Sequence, residues 1–242
     1  MINFDRTLDQ WITIADAASI QNIFDGGGSI SFTGFLSGYG DSNAGVIATK
    51  NFDTGWRVQV SNLGQMRLHV DHDTTDGVWW MPTLQNQFRH WAITYDADSN
   101  ANDPVMYLDG VSQTVTELTT PSGTRLSDVG EDLIIGGRTD GTLGMSMNLG
   151  DLRLFDRILT PGEVRAMAQT MGRAAVAPAV VRLPMNEFKS QVSTGVAADS
   201  IRDNSGHANH GAFNIAAEYA GGGPFPNPGG STGRGGARGL MR

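Results

Sequence analysis

Two tryptophans stand side by side at Trp79 and Trp80. Neighbours on a strand point to opposite faces, so one belongs to a core and the other looks outward. An outward indole is a flat apolar surface with a polar edge. It suits a sugar ring, and equally a neighbouring subunit. Asp71-His72-Asp73 with Asp76 makes an acidic loop, expected as a solvated turn before a metal site. His207 and His210 stand three apart in the polar run 202–212. A turn is the first expectation there, and metal binding the second. Arg234, Arg238 and Arg242 lie in a segment without acidic residues and could grip an acidic surface. The plain alternative is a flexible, solubilising end.

Those residues need a frame to position them. The chain has 242 residues, enough for one large sandwich or two small domains. It has no cysteine, which excludes disulfides, thiolate metal sites and cysteine nucleophiles. Its 32 glycines read as many tight turns between short strands. A net charge of −8 argues against nucleic acid, because phosphate backbones are held by Lys and Arg. No apolar run approaches the roughly 20 residues that span a bilayer. Met1-Ile2-Asn3-Phe4-Asp5 has neither a basic start nor an apolar stretch, so it does not read as a signal peptide. Taken as a natural start, it implies a chain made in a cytosol and released only by lysis.

Alternation with period two recurs along the chain, the mark of half-buried strands. Ile30, Phe32, Gly34 and Leu36 alternate with Ser31, Thr33 and Phe35. Trp56, Val58 and Val60 are followed by the turn Asn62-Leu63-Gly64 and then by Met66, Leu68 and Val70, a hairpin pattern. Arg57, Gln59, Arg67 and His69 occupy its other face. Trp91, Ile93 and Tyr95 begin another strand, and Trp11, Trp56 and Trp91 are expected in the core. Val111–Leu118 reads as a wet edge strand. Thr160, Pro161 and Glu163 form a capping box, which predicts a short helix that Gly172 stops. Val180–Met185 reads as one more strand and residues 202–212 as a polar turn. Residues 221–242 hold nine glycines, three prolines and three arginines, a composition with no fold of its own.

Five segments in order resemble a known family. Ile2-Asn3-Phe4-Asp5 with Trp11-Ile12-Thr13-Ile14 resembles the opening strands of laminin-G-like jelly rolls. Arg89-His90-Trp91-Ala92-Ile93-Thr94-Tyr95-Asp96, Met106-Tyr107-Leu108-Asp109-Gly110, Leu133-Ile134-Ile135-Gly136-Gly137-Arg138 and Gly150-Asp151-Leu152-Arg153-Leu154-Phe155-Asp156-Arg157-Ile158-Leu159 resemble later strands of that family. The resemblance implies an all-β, concanavalin A-like jelly-roll sandwich of two antiparallel sheets, with one short helix and an extended C-terminal tail. The order departs from the family. Leu183-Pro184-Met185-Asn186-Glu187 and Asp203-Asn204-Ser205-Gly206-His207-Ala208-Asn209-His210-Gly211 resemble a segment that usually comes first. Either they begin a truncated second copy, or the chain is circularly permuted and residues 180–215 complete the same sandwich. The second is preferred, because a partial copy could not bury its own apolar face. This gives a jelly roll over 1–215 and a Gly/Pro/Arg-rich arm over 216–242.

The resemblance also implies a calcium site near the Asp203–Asn209 turn, with Asp203, Asn209 and Asp151 as ligands; an Asx turn is the plainer expectation at Asp203. Glucanases of this general fold carry Glu-x-Asp-x-x-Glu on one strand. The pattern is absent here, so no enzyme is expected. Two functions remain. The first is a virion structural protein, a phage capsid decoration or head-fibre protein. It would dock on the major capsid protein or another virion protein through an arm comprising Phe225, Arg234, Arg238, Leu240 and Arg242, as a homo-oligomer with a trimer favoured. The second is a carbohydrate-binding module or tail adhesin, with Trp79 or Trp80 as the platform. Neither involves nucleic acid or a membrane.

Overall fold

The structure, a computed structural model, describes residues 1–40, 44–176, 178–185 and 201–215. Among these, strands numbered along the chain form two antiparallel sheets. The seven-stranded sheet runs β1 (Ile2–Phe4), β13 (Met147–Phe155), β3 (Gly28–Leu36), β8 (Phe88–Tyr95), β9 (Val105–Leu108) and β10 (Val111–Ser112), with β14 (Val181–Leu183) also on β13. The eight-stranded sheet runs β11 (Thr116–Thr119), β7 (Gly77–Pro82), β6 (Gln65–Val70), β5 (Trp56–Ser61), β4 (Ala44–Lys50), β12 (Leu133–Ile135), β2 (Gln10–Ile14) and β15 (Gly211–Ile215). No described helix is long and apolar enough to cross a membrane.

The inner faces meet in one core. Trp56, Trp79 and Trp91 are fully buried there with Phe24, Phe32 and Tyr95. Phe32 stacks on Trp91 at 5.3 Å, and Phe24 meets Trp56 edge-on at 5.5 Å. Such pairs add about 0.5–1.5 kcal/mol each beyond their buried area. The glycine run before β3 is required by geometry. Gly26 and Gly27 have φ of +68° and +94°, and a Cβ on Gly28 would lie 2.0 Å from the Ile23 carbonyl oxygen.

The two sheets differ on their outer sides. Helix α1 (Pro161–Gln169) begins in the expected capping box, with Thr160 accepting from the Glu163 N–H and the Glu163 carboxylate accepting from the Thr160 N–H. Its Val164 and Met167 pack with Leu159 and Ala179 over Ala92, Tyr107 and Phe155. The helix thus roofs the outer face of the seven-stranded sheet, which explains why β3 and β13 are buried almost throughout. In the eight-stranded sheet the outward residues of β6 and β7 are half-buried or exposed, while residues 45–50 of β4 and the outward Gln59 and Ser61 of β5 are buried.

Three expectations change. Val111–Leu118 is not one strand: Gln113-Thr114-Val115 carry the chain from β10, on the edge of one sheet, to β11, on the edge of the other. The polar turn ends early, because Gly211–Ile215 is β15, paired along β2. Trp11 is half-buried and outward, since Ile12 and Ile14 take the inward positions of β2.

Residues 181–183 and 211–215 therefore join both sheets. β14 lies beside Leu152–Leu154 of β13, and β1 lies beside Met147–Leu149 of the same strand. The two short strands run in the same direction, end to end, along one edge. The arm residues Phe225, Arg234, Arg238, Leu240 and Arg242 fall outside the described residues.

Candidate functional site on the eight-stranded sheet

Strands β5, β6 and β7 turn Trp56, Val58, Val60, Met66, Leu68, Val70, Trp79 and Met81 inward, all fully or almost fully buried. Their intervening residues must face outward. The register sets these out in rows. Gln59 lies opposite Arg67, Arg67 opposite Trp80, and Trp80 opposite Thr116 of β11. The next row is Arg57, His69 and Val78, and the third Ser61, Gln65 and Pro82. Directly opposed residues have Cβ atoms about 4.5–5.5 Å apart, so each row is a continuous surface.

The tryptophan pair divides as its spacing requires. Trp79 is fully buried and its Nε1–H donates to Asp103 Oδ1 at 2.7 Å, so it cannot meet a sugar. Trp80 is half-buried on the outer face, with its Nε1 covered, and stands opposite Arg67 in the β6–β7 register. Arg67, Arg57 and His69 are half-buried too.

Hydrogen bonds hold the polar side chains in place. Arg57 donates through Nη2 to His69 Nδ1 at 2.9 Å and through Nη1 to Asp71 Oδ1 at 3.2 Å and the Phe52 carbonyl at 3.0 Å. A guanidinium only donates, so His69 Nδ1 carries no proton. The Gln59 Nε2 lies 3.2 Å from His69 Nε2; since that ring nitrogen carries the proton, the Gln59 amide must turn its oxygen toward it to accept. Arg67 donates through Nε to Gln65 Oε1 at 3.0 Å. At the margin, the guanidinium groups of Arg57 and Arg138 lie over the Phe52 ring, 5.0 and 4.4 Å from its centre.

Burial, then Arg57 and Arg67, push the His69 pKa down to about 3. The sign of the pH effect follows. The unfolded chain takes up this proton near 6.5, while the folded chain does so only near 3. The unfolded state therefore binds more protons across that window, and stability falls as pH drops below about 6.5. The slope is at most about 1.4 kcal/mol per pH unit. Asp71, raised to about 6 by burial against the pull of Arg57 and the Gly55 N–H, works the other way between about 4 and 6. Comparison with His69→Gln isolates the histidine: urea midpoints from pH 8 to 4 should fall more steeply for the wild-type chain. Equal slopes would contradict the assignment.

The other candidate residues are engaged in structure. Asp203 Oδ1 accepts from the N–H groups of Arg182 and Ser205, and Oδ2 from Ser205 Oγ and the Asn209 N–H. Ser205 N–H to Asp203 is the Asx turn itself. Asn209 donates to Ser19 Oγ and the Val180 carbonyl. Asp151 is on β13, paired with Arg153 at 2.8 Å, and shares no hydrogen bond with Asp203 or Asn209. The Asp203 oxygens thus accept four hydrogen bonds, while Asp151 Oδ1 is buried with no hydrogen-bond partner among the described residues. Among the described residues no group of three or more His, Asp or Glu could hold a metal. His210 Nδ1 accepts from the Asp203 N–H at 3.0 Å, and His207 is exposed. His72 is buried, its Nδ1 3.0 Å from the Val70 carbonyl. Ser31 Oγ and His90 Nε2 lie 2.9 Å apart, but both are buried in the layer under α1, out of reach of a substrate.

The family model described as the concanavalin A-like lectin/glucanases superfamily, of laminin-G type, matches residues 5–165. The chain belongs to this superfamily. A search of curated proteins finds no sequence match for this concanavalin A-like chain. Solved structures share its fold. One is a proposed carbohydrate binding protein from Bacteroides ovatus ATCC 8483, 13% identical with a TM-score of 0.57, aligned over 88% of this chain and 57% of its own. Another is the botulinum neurotoxin serotype G binding domain, 16% identical with a TM-score of 0.52, over 66% and 40%. A third is the binding domain of Paraclostridial Mosquitocidal Protein 1, 14% identical with a TM-score of 0.52, over 69% and 42%. The chain thus spans little more than half the first and about two-fifths of the others. At these identities the likeness is one of fold.

Proposed function

We propose that this concanavalin A-like domain binds carbohydrate, without cleaving it, on the outer face of β5, β6 and β7. The observation that carries the reading is the row Gln59–Arg67–Trp80–Thr116 on the face that α1 leaves open. A pyranose presents an apolar face and a rim of hydroxyls. Trp80 supplies the flat surface, and Arg67, Gln65 and Thr116 supply donors and acceptors for the rim, with the buried Gln59 bracing His69 behind them. The rows contain no carboxylate, whereas hydrolysis of a glycosidic bond ordinarily needs two, flanking it. The Bacteroides ovatus neighbour, itself proposed to bind carbohydrate, adds to the reading only at the level of fold.

The virion reading draws on the absence of cysteine, the N-terminus without a signal-peptide pattern and the arm; the arm lies outside the described residues, and the binding reading is put first because the β5–β7 face supports it.

A glycan array followed by titration of the best ligand tests the proposal. Trp80→Ala leaves the core intact, because Trp79 fills the inward position. It is expected to weaken binding several-fold, up to roughly tenfold, since stacking on an aromatic is worth about 0.5–1.5 kcal/mol. A folded wild-type protein that takes up no glycan, or a Trp80→Ala variant that binds as well, would overturn it.

A further inference from the structure

The charge of this face runs against that of the chain. The chain has 25 acidic and 17 basic residues, yet the outward positions of β5, β6 and β7 carry Arg57 and Arg67 and no acid. Arg57 is compensated by Asp71 at 3.2 Å. Arg67 is not: it donates only to Gln65 Oε1, through Nε and Nη2, and enters no ion pair among the described residues. Its Nη1 has no hydrogen-bond partner there. His69, between the two guanidinium groups, is held neutral and so brings no second cation that a ligand must satisfy. A guanidinium left without a counter-ion and set beside an aromatic platform is the geometry for a ring that carries an anion on its edge. The planar fork matches a carboxylate through two parallel hydrogen bonds.

We propose that the glycan bound here is acidic, a hexuronic-acid glycan whose carboxylate pairs with Arg67 while its ring lies on Trp80. The inference rests on the carbohydrate reading and narrows it to a substrate class.

The test is calorimetric titration of the full chain with oligomers of galacturonate, glucuronate, mannuronate and guluronate. Their carboxyl-reduced forms, sulfated neutral oligosaccharides and unmodified neutral ones complete the series. At least one uronate is expected to bind, and its reduced form to bind at least roughly tenfold more weakly, the loss of a charge-assisted bidentate contact. Arg67→Gln should bring the uronate down to the level of its reduced form. Arg67→Lys, which keeps the charge but not the fork, should fall between. Raising salt from 50 to 500 mM should weaken the uronate and spare the neutral sugar. Reduced or neutral glycans bound as tightly as uronates, uronate binding untouched by Arg67→Gln, or binding confined to sulfated sugars would each overturn the acidic class and leave the carbohydrate reading standing. A folded protein that binds none of the series, charged or neutral, would overturn both.

Discussion

Deleting residues 180–215 is expected to abolish the single cooperative unfolding transition. The segment puts Val180, Val181, Leu183, Met185 and Ile201 into the main core, all buried. At about 1.5–3 kcal/mol for each large apolar side chain, their loss removes on the order of 10 kcal/mol, comparable with the 5–15 kcal/mol that holds a typical domain. The deletion also uncovers the β13 edge at 152–154 and the whole length of β2, and bare edges invite aggregation. A chain ending at Ile215 keeps every contact described above and is the control. Urea unfolding followed by tryptophan fluorescence and far-ultraviolet circular dichroism decides the matter. Coincident, steep transitions in the deleted chain would mean that the rest of the sandwich stands alone and that residues 180–215 are an addition to it.

Lys50→Met should cost about 3–5 kcal/mol, the usual penalty for breaking a buried ion pair from one side. Lys50 is fully buried at the end of β4. Its ammonium lies 2.7 Å from Asp16 Oδ1 and 3.4 Å from Asp128 Oδ1, and it donates to the Ile20 carbonyl at 3.1 Å. Burial raises the Asp16 pKa, but hydrogen bonds from Lys50, Gln21 and the Gly130 N–H outweigh it and hold the carboxylate below its ordinary value. Asp128 is also fully buried. Its Oδ1 accepts from the Asn22 N–H, while its Oδ2 has no hydrogen-bond partner among the described residues. Without the ammonium that carboxylate is a buried charge with no counter-ion. Adding Asp128→Asn to Lys50→Met should therefore recover part of the loss. A single-variant cost below about 1 kcal/mol, or a double variant no more stable than Lys50→Met, would show that the ion cluster does not hold the 16–22 and 127–132 loops to the sheet.

What the sequence made legible follows from how local each signal is. The β5–β6 hairpin declared itself, because its alternation and its Asn62-Leu63-Gly64 turn are read within a dozen residues. So did α1, whose capping box is spelled out by Thr160, Pro161 and Glu163. The resemblance carried the fold class, since five motifs in order are hard to place on another architecture. β4 left no signal: Ala44–Lys50 is mostly small residues, buried on both faces, and does not alternate. β15 was hidden inside a polar run because its partner, β2, is some 200 residues away in sequence. Trp11 was misplaced for a related reason: its strand has Ile12 and Ile14 to fill the core, and that choice of face is made by the pairing.

The candidate site was half legible. Arg57, Gln59, Arg67 and His69 could be set on one face from their alternation, and Trp79 and Trp80 on opposite faces from their adjacency. That Trp80 lies across from Arg67 depends on the β6–β7 register, with the acidic loop between the strands. Nothing in the alternation alone fixes that register. At the calcium candidates the structure adds the hydrogen bonds that the sequence does not show. Spacing puts Asp203 and Asn209 in one turn, but only the structure shows Arg182, Ser205 and Asn209 donating to the carboxylate.

The most direct test of carbohydrate binding at this face is amide chemical-shift mapping of the full chain during titration with the best ligand from the array. The account predicts that the shifted amides cluster in β5, β6 and β7, at 57–61, 65–69 and 78–82, with β11 at 116–119 alongside. Shifts confined to the loops around Asp25, Asp98 and Arg125, or to α1, would place the ligand elsewhere and contradict it.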